Sequence, residues 1–190
     1  MEVTFRLARP ADAPSIAALR NAAAVDLTLR FGKGHWSGQT TDRGVLTGLK
    51  GGSTIVGRVG RSLACVVSLG TRKPWAIDPA YFSPSRCPLY LTGMAVAPNR
   101  QGTGIGRRCL EHVVQVAIAW PVDAIRLDAY DAPAGAGGFY AKCGFEERGR
   151  VTYRRVPLIY YELLLPAPEP AAPENRDAAP KARRVAKLGR

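Results

Sequence analysis

The sequence predicts an α/β protein with a mixed sheet, and three observations carry that prediction. Strand-like and helix-like segments alternate in the order β-α-α-β-β-β-α-β-α-β. A glycine-rich turn, RQGTGIG at 100–106, separates an apolar strand from an amphipathic helix. The chain has 190 residues, 46% of them apolar, enough to bury one substantial core.

The elements follow in order. VTFRLA alternates as a strand does. Asp12 then reads as the N-cap of a helix whose apolar stripe includes Ile16, Leu19, Ala23 and Leu27, with Gly32 and Gly34 ending it. A second short helix is expected over TTDRGVLTGLK. After Gly51 and Gly52, STIVGRVG and SLACVVSLG form two strands joined around Arg61 as a hairpin. TRKPWAIDPAYFSPSRCP, with four prolines, is a long irregular loop and the first candidate for substrate contact. The strand LYLTGMAVAP, a helix from about Gly104 to Trp120, the strand AIRLDAY, a Gly/Ala-rich segment leading into FYAKCGF, and one last strand around RVPLIYYELLL complete the series. The folded domain is expected over 1–165. Residues 166–190, with five prolines and seven alanines, read as a disordered tail.

The formal net charge is +12, and the tail's six Lys/Arg and three Asp/Glu leave +9 on residues 1–165. An anionic ligand or partner is expected, and charge alone does not choose among phosphates, nucleic acid and lipids. Cys65, Cys87, Cys109 and Cys143 form no CxxC pair, and MEVTFRLARP has no apolar signal core. These features read as a reduced, cytoplasmic protein. Charged residues, Gly or Pro interrupt every apolar run, so no membrane-spanning helix is expected.

Glycines before a helix let its free amides and positive dipole end approach an anion. GTGIGRRC lacks the Lys-Ser/Thr pair of a nucleotide triphosphatase loop. A dinucleotide fingerprint starting at Gly102 needs a third glycine where Arg107 stands. Arg107 and Arg108 in the first helical turn oppose the helix dipole by roughly 0.3–1 kcal/mol each, a penalty that bound polyphosphate would reverse. The competing reading is that both simply extend into water.

LTGMAVAPNRQGTGIGRRCLE resembles the acyl-CoA-binding motif of the GNAT superfamily of N-acyltransferases, whose Gln/Arg-x-x-Gly-x-Gly/Ala core matches Gln101, Gly104 and Gly106. Downstream, GFYAKCGFEERG is similar to the family's closing motif, with Tyr140 before Gly144 and Phe145. The resemblance spans about residues 3 to 165. It implies a mostly antiparallel sheet flanked by helices, with one strand pair splayed at the acyl-CoA site. It implies that Met94, Ala95 and Val96 pair with the pantetheine arm. The amides of Gln101, Gly102, Thr103, Gly104, Ile105 and Gly106 would hold the pyrophosphate, with Arg107 beside it. Acetyl-CoA is the implied cosubstrate, and no metal is required.

The same resemblance makes the Met94 N–H the oxyanion donor and Tyr140 the general acid that protonates the departing thiolate. For Tyr140 a core aromatic contact is the alternative. The family has no universal base; Asp128 and Asp131 are the nearest carboxylates, with a turn role equally open for Asp131. Many relatives carry an Asn in the segment corresponding to DAPAGAGG, and this chain has none, which leaves Asp131 or plain backbone to substitute. His35 and His112 read as surface or packing residues rather than as a metal pair.

The loop from Thr71 to Pro88 and GKGHWSGQTT should flank the acceptor cleft. There Trp36, Trp75, Tyr81, Phe82 and Tyr90 either line an apolar pocket or hold the loops down. The expected reaction is acetyl transfer from acetyl-CoA to a primary amine of a small molecule, peptide or protein. The alternatives are an RNA-directed enzyme acetylating aminoacyl-tRNA, favoured by the basic charge, and a non-catalytic acyl-CoA-binding module. Through VPLIYYELLL the chain is expected to be a monomer or homodimer.

Overall fold

The computed structural model describes residues 2–166; the expected tail, but for its first residue, lies outside them. Its elements are β1 (Thr4–Leu7), α1 (Ala13–Phe31), α2 (Asp42–Lys50), β2 (Ser53–Val59), β3 (Ser62–Gly70), β4 (Pro88–Val96), α3 (Ile105–Ile118), β5 (Ala124–Tyr130), α4 (Gly137–Lys142), β6 (Glu146–Tyr153) and β7 (Val156–Leu164). The strands form a seven-stranded sheet in the order β1-β2-β3-β4-β5-β7-β6. Every neighbouring pair is antiparallel except β4 and β5.

The expected last strand is in fact a hairpin. β6 and β7 are joined by Arg154 and Arg155, both with positive φ (48° and 67°). A two-residue turn of this hand ordinarily carries Gly or Asn, so a pair of arginines gives no turn signal and the sequence reads straight through it.

Helices cover both faces. α3 lays Ile105, Cys109, Leu110 and Val113 against Val67, Leu89, Leu91, Ile125 and Leu127, all buried. On the opposite face α1 and α2 place Ile16, Ala17, Leu19 and Val45 on Val56 and Val66. Asp12 occupies the N-cap position of α1 as expected, but its side chain makes no cap bond to that helix. It is buried instead, accepting from both terminal nitrogens of Arg6 (2.7 Å each), from Arg58 Nη2 (3.0 Å) and from the Arg9 amide (2.8 Å). Those bonds, the one from Arg6 first, hold its carboxyl well below the usual carboxylate range.

The loop between β3 and β4 is fastened down rather than open. Asp123 accepts from the amides of Arg86 (2.7 Å) and Cys87 (3.2 Å). Glu162, fully buried, accepts from Arg126 Nε (2.8 Å) and the Ser83 amide (3.1 Å) and lies 2.8 Å from Arg148 Nε. Ile77, Phe82, Tyr90 and Tyr160 form a small core beneath the loop.

Candidate active site

β4 and β5 are paired only from Pro88 to Tyr90 and from Ala124 to Arg126. Beyond that point they part, and the β5-facing edge of β4 has no strand partner, which is the splay that the resemblance implied. β4 also bulges. Val66 faces Ala95 while Ser68 faces Thr92, so β4 carries one residue more than β3 across this interval, and Gly93 and Met94 have no partner in the register. Gly93 adopts φ +56°, a left-handed geometry that suits glycine and lets the bulge form.

The opening between the strands leads into a cleft of about 530 Å³. Met94, Ala95 and Val96 form one side, and Pro133, Ala134, Gly135, Ala136, Phe139 and Tyr140 the other. Arg100, Gln101, Gly102, Gly104, Gly106 and Arg107 close one end, and Ala23 and Leu27 of α1 reach in from above.

The three alternate glycines of the turn do different work. Gly102 (φ +73°) and Gly104 (φ +85°) wind the chain left-handed into α3. The first backbone bond of the helix then runs from the Arg108 N–H to the Gly104 carbonyl (3.1 Å), so the amides of 102–107 precede the ladder. Gly106 serves packing: a Cβ there would meet the Phe139 ring at 3.1 Å, so α3 and α4 close against each other only because it is absent. Gln101 pins the turn to the strand end through Nε2 to the Val96 carbonyl (3.3 Å), and Thr103 Oγ1 donates to the Arg100 carbonyl (2.7 Å). Arg107 lines the cleft while donating Nη2 to the Lys142 carbonyl (3.0 Å), which occupies an orphan carbonyl at the end of α4. A turn of free amides flanked by cations, continuous with an unpaired strand edge, fits a long ligand with phosphates at one end and amide groups along its arm.

Tyr140 stands at the inner end of the cleft. Its ring packs between Phe139, Phe145 and Tyr161, and its hydroxyl reaches Met94 Sδ at 3.9 Å. Burial, with a smaller contribution from Asp128, raises its pKa above the ordinary phenol value, so the hydroxyl stays protonated. Tyr140 is thus a core aromatic that also lines the cleft.

Along β5, Ile125, Leu127 and Ala129 belong to the α3 side of the sheet, so Arg126, Asp128 and Tyr130 project to the α1 side. Asp128 therefore lies on the sheet face opposite α3, on β5 two residues beyond its last pairing with β4. Burial raises its pKa, and His35 nearby partly offsets the rise. Asp131 is engaged elsewhere, held by Arg150 Nη1 (2.9 and 3.0 Å), so of the two carboxylates Asp128 is the one at the gap. The segment that lacks the relatives' Asn contributes Pro133–Ala136 to the cleft wall.

The five expected pocket aromatics separate. Phe82 and Tyr90 are core residues, Tyr81 packs edge-on to Tyr160, and Trp75 is 83% exposed. Trp36 alone approaches the acceptor face, in a cluster with His35 and Tyr130 at centroid distances of 4.6–5.4 Å. The sequence reading missed Tyr130 and Arg20. Arg20 precedes Ala23 by three positions and Leu27 by seven, so it continues their cleft-lining stripe inward; that spacing was the available signal. His112 stacks on Phe5 (4.8 Å), a packing role. Among the described residues no group of three or more His, Cys, Asp or Glu side chains is placed to hold a metal ion.

Residues 43–145, more than half of the chain, match the family model described as the acetyltransferase (GNAT) family. The chain belongs to the GNAT family of acetyltransferases. GNAT acetyltransferases use acetyl-CoA as cosubstrate, and the cleft described above has the shape and charge for it. An aminoglycoside N(6')-acetyltransferase type 1 from Stenotrophomonas maltophilia is 38% identical over 73 residues, which are 36% of this chain and 45% of that relative. The matched stretch thus spans under half of that protein.

Solved structures share the fold at low identity. A ribosomal-protein-alanine N-acetyltransferase from Brucella melitensis superposes with a TM-score of 0.66 at 21% identity, covering 85% of this chain and 99% of that one. A Salmonella typhimurium structure containing acetyl-CoA gives 0.63 at 20% identity, covering 91% and 98%. Among the described residues, no helix is long and apolar enough to cross a membrane.

Proposed function

We propose that this GNAT acetyltransferase moves the acetyl group of acetyl-CoA directly to a primary amine of a small molecule or peptide at the gap between β4 and β5. The observation that carries this reading is the juxtaposition of three groups at the splay. The bulge leaves the Met94 peptide outside the strand register, Tyr140 faces the cleft from one side, and Asp128 faces the gap from the other.

Each group has a role that its surroundings support. The Met94 N–H donates to the oxyanion that forms when the amine attacks the thioester carbonyl. Asp128, with its raised pKa, accepts the proton of the incoming ammonium more readily than an exposed carboxylate would. Tyr140, whose hydroxyl reaches the bulged Met94 (3.9 Å to Sδ), delivers a proton to the departing thiolate; its burial keeps the phenol protonated but makes it a weaker acid, so the role rests on its position. The amides of 102–107 and the Arg107 guanidinium hold the pyrophosphate, and Met94, Ala95 and Val96 hold the pantetheine arm.

A second reading follows from the curated relative, which acetylates aminoglycosides. Such polycations call for several unpaired carboxylates. On the α1 face Glu162 is engaged by arginines, and Asp131 is held by Arg150. Asp128 has no Lys or Arg ion pair among the described residues, which favours an acceptor with one amine to bind. The test is release of free CoA thiol with a panel of amino acids, small amines, an aminoglycoside and N-terminal peptides. Amine-dependent release supports the proposal; acetyl-CoA binding without release with any of them overturns it in favour of a non-catalytic acyl-CoA-binding module.

A further inference from the structure

Arg20 is a guanidinium of α1 that rests on Ser68 of β3 and on the bulge of β4 beside Met94, with most of its donors unused. Its Nη2 makes two long contacts, to Ser68 Oγ (3.3 Å) and to the Gly93 carbonyl (3.4 Å). Its Nε is sealed from solvent and has no partner among the described residues. Nη1 makes no hydrogen bond among those residues either, and it is not sealed in the way Nε is. No carboxylate of the described residues forms an ion pair with it, although Arg6, Arg58, Arg126, Arg148 and Arg150 each have one.

A half-buried cation without a counterion is costly, and it is found where a ligand supplies the missing charge. Burial alone lowers the Arg20 pKa from the ordinary arginine value; a bound anion would reverse that. The local packing holds Arg20 in place. A Cβ on Gly93 would lie 2.9 Å from Nη2, so the glycine that permits the bulge also permits the guanidinium to rest on it.

The position defines what the anion belongs to. Arg20 lies on the same helix stripe as the cleft-lining Ala23 and Leu27 and rests on Ser68 of β3 and the Gly93 carbonyl, which puts it beside the β4 bulge that borders the gap. Asp128 occupies the β5 lip: it lies two residues past Arg126, the last β5 residue paired with β4, whose partner Tyr90 is two residues before Thr92. One lip thus offers a carboxylate for an ammonium, and the other a planar fork suited to a carboxylate.

We infer that the acceptor is an amine that also carries a carboxylate, with Arg20 binding the carboxylate while Asp128 receives the amine. This inference rests on the proposed amine acetyltransferase reading and narrows its substrate class. The chemistry stays that of direct transfer: one ammonium proton passes to Asp128 before attack, the amine nitrogen bonds to the acetyl carbon, the thioester C–S bond breaks, Tyr140 protonates the thiolate, and the second proton shed by the nitrogen as the amide forms restores the Tyr140 phenol.

The experiment compares matched acceptors, the free amino acids against their carboxamides and decarboxylated amines, on the wild type and on Arg20→Met. Calorimetric titration with acetyl-CoA confirms that the variant is folded and loaded. The wild type is expected to favour free acids in kcat/KM by tenfold or more. Arg20→Met is expected to bring that ratio to about 1, chiefly through KM of the acids. Equal kcat/KM for acids and amides in the wild type, with turnover intact, overturns the inference and leaves the acetyltransferase reading standing. An equal fall in kcat on every acceptor also overturns it, because Arg20 would then act through the Gly93–Met94 peptide. Acetyl-CoA binding with no amine acetylated removes both readings.

Discussion

At the residue scale, the site rests on groups whose surroundings set their protonation. Tyr140→Phe removes the proton donor and leaves the packing of the ring, so kcat is expected to fall about 100-fold while KM for acetyl-CoA stays within about twofold. Steady-state kinetics with saturating acetyl-CoA reads this; unchanged kcat would reduce Tyr140 to an aromatic wall. For Asp128 the raised pKa has two consequences of opposite sign. A carboxyl whose folded pKa lies above its unfolded value takes stability away as pH rises through that interval. Asp128→Asn is therefore expected to raise Tm at neutral pH by a few degrees while abolishing the acid limb of the pH–rate profile. Lower Tm together with an intact acid limb would exclude Asp128 as base. Sequence reading reached these residues because the flanking motifs fix their positions. It missed Arg20, whose partner groups, Ser68 and Gly93, lie 48 and 73 positions away in the chain.

At the element scale, the cleft exists because two neighbouring strands separate and two helices approach. The approach of α3 to α4 depends on Gly106. Gly106→Val sets its side chain against the Phe139 ring, and acetyl-CoA affinity by calorimetry is expected to weaken about tenfold with the fold retained. The order of the central strands and the glycine turn were legible in the sequence, since periodicity and glycine spacing are local signals. The β6–β7 hairpin was not, because its turn residues, Arg154 and Arg155, pay a conformational cost that tertiary pairing with β7 offsets. Arg155→Gly relieves one left-handed side chain and is expected to stabilise the protein by about 1 kcal/mol, read as a higher denaturation midpoint. For the aromatics of the β3–β4 loop the sequence left pocket lining and loop packing both open, and long-range contacts decide for packing at Phe82 and Tyr90. Asp123, Glu162 and Tyr160, distant in sequence, draw that loop onto the sheet.

At the scale of the whole molecule, a strongly basic chain encloses a few carboxylates that are already committed to arginines. Asp12 and Glu162 illustrate this. For Glu162, burial works against the charged form, but the bonds from Arg126 and Ser83 outweigh it and hold the pKa below the usual glutamate value. Both groups have folded pKa values below the unfolded ones, near 3.9 and 4.3. Their contribution to stability is complete above that range and is lost as pH falls through the folded values. Asp12→Ala leaves Arg6 and Arg58 without their shared partner and is expected to cost about 3 kcal/mol at neutral pH, with a flatter loss of stability on acidification. The basic charge read from the sequence matches the anionic cosubstrate of the family, but it does not reveal which carboxylates remain available to an acceptor. That distinction depends on who pairs with whom in three dimensions.

The most direct measurement is a single turnover with excess enzyme, acetyl-CoA and a free amino acid as acceptor, its N-acetylated form serving as the reference standard, followed by mass spectrometry of both small molecules and protein. Direct transfer at the β4–β5 gap gives free CoA and N-acetyl product in equal amounts, with no acetyl group on the protein at any time. The thiol of Cys143, next in the chain to the cleft-lining Lys142, has its pKa raised by burial, which favours the protonated form over the reactive thiolate. A transient mass gain of one acetyl group on the chain, or CoA released without acetylated amine, would contradict the account.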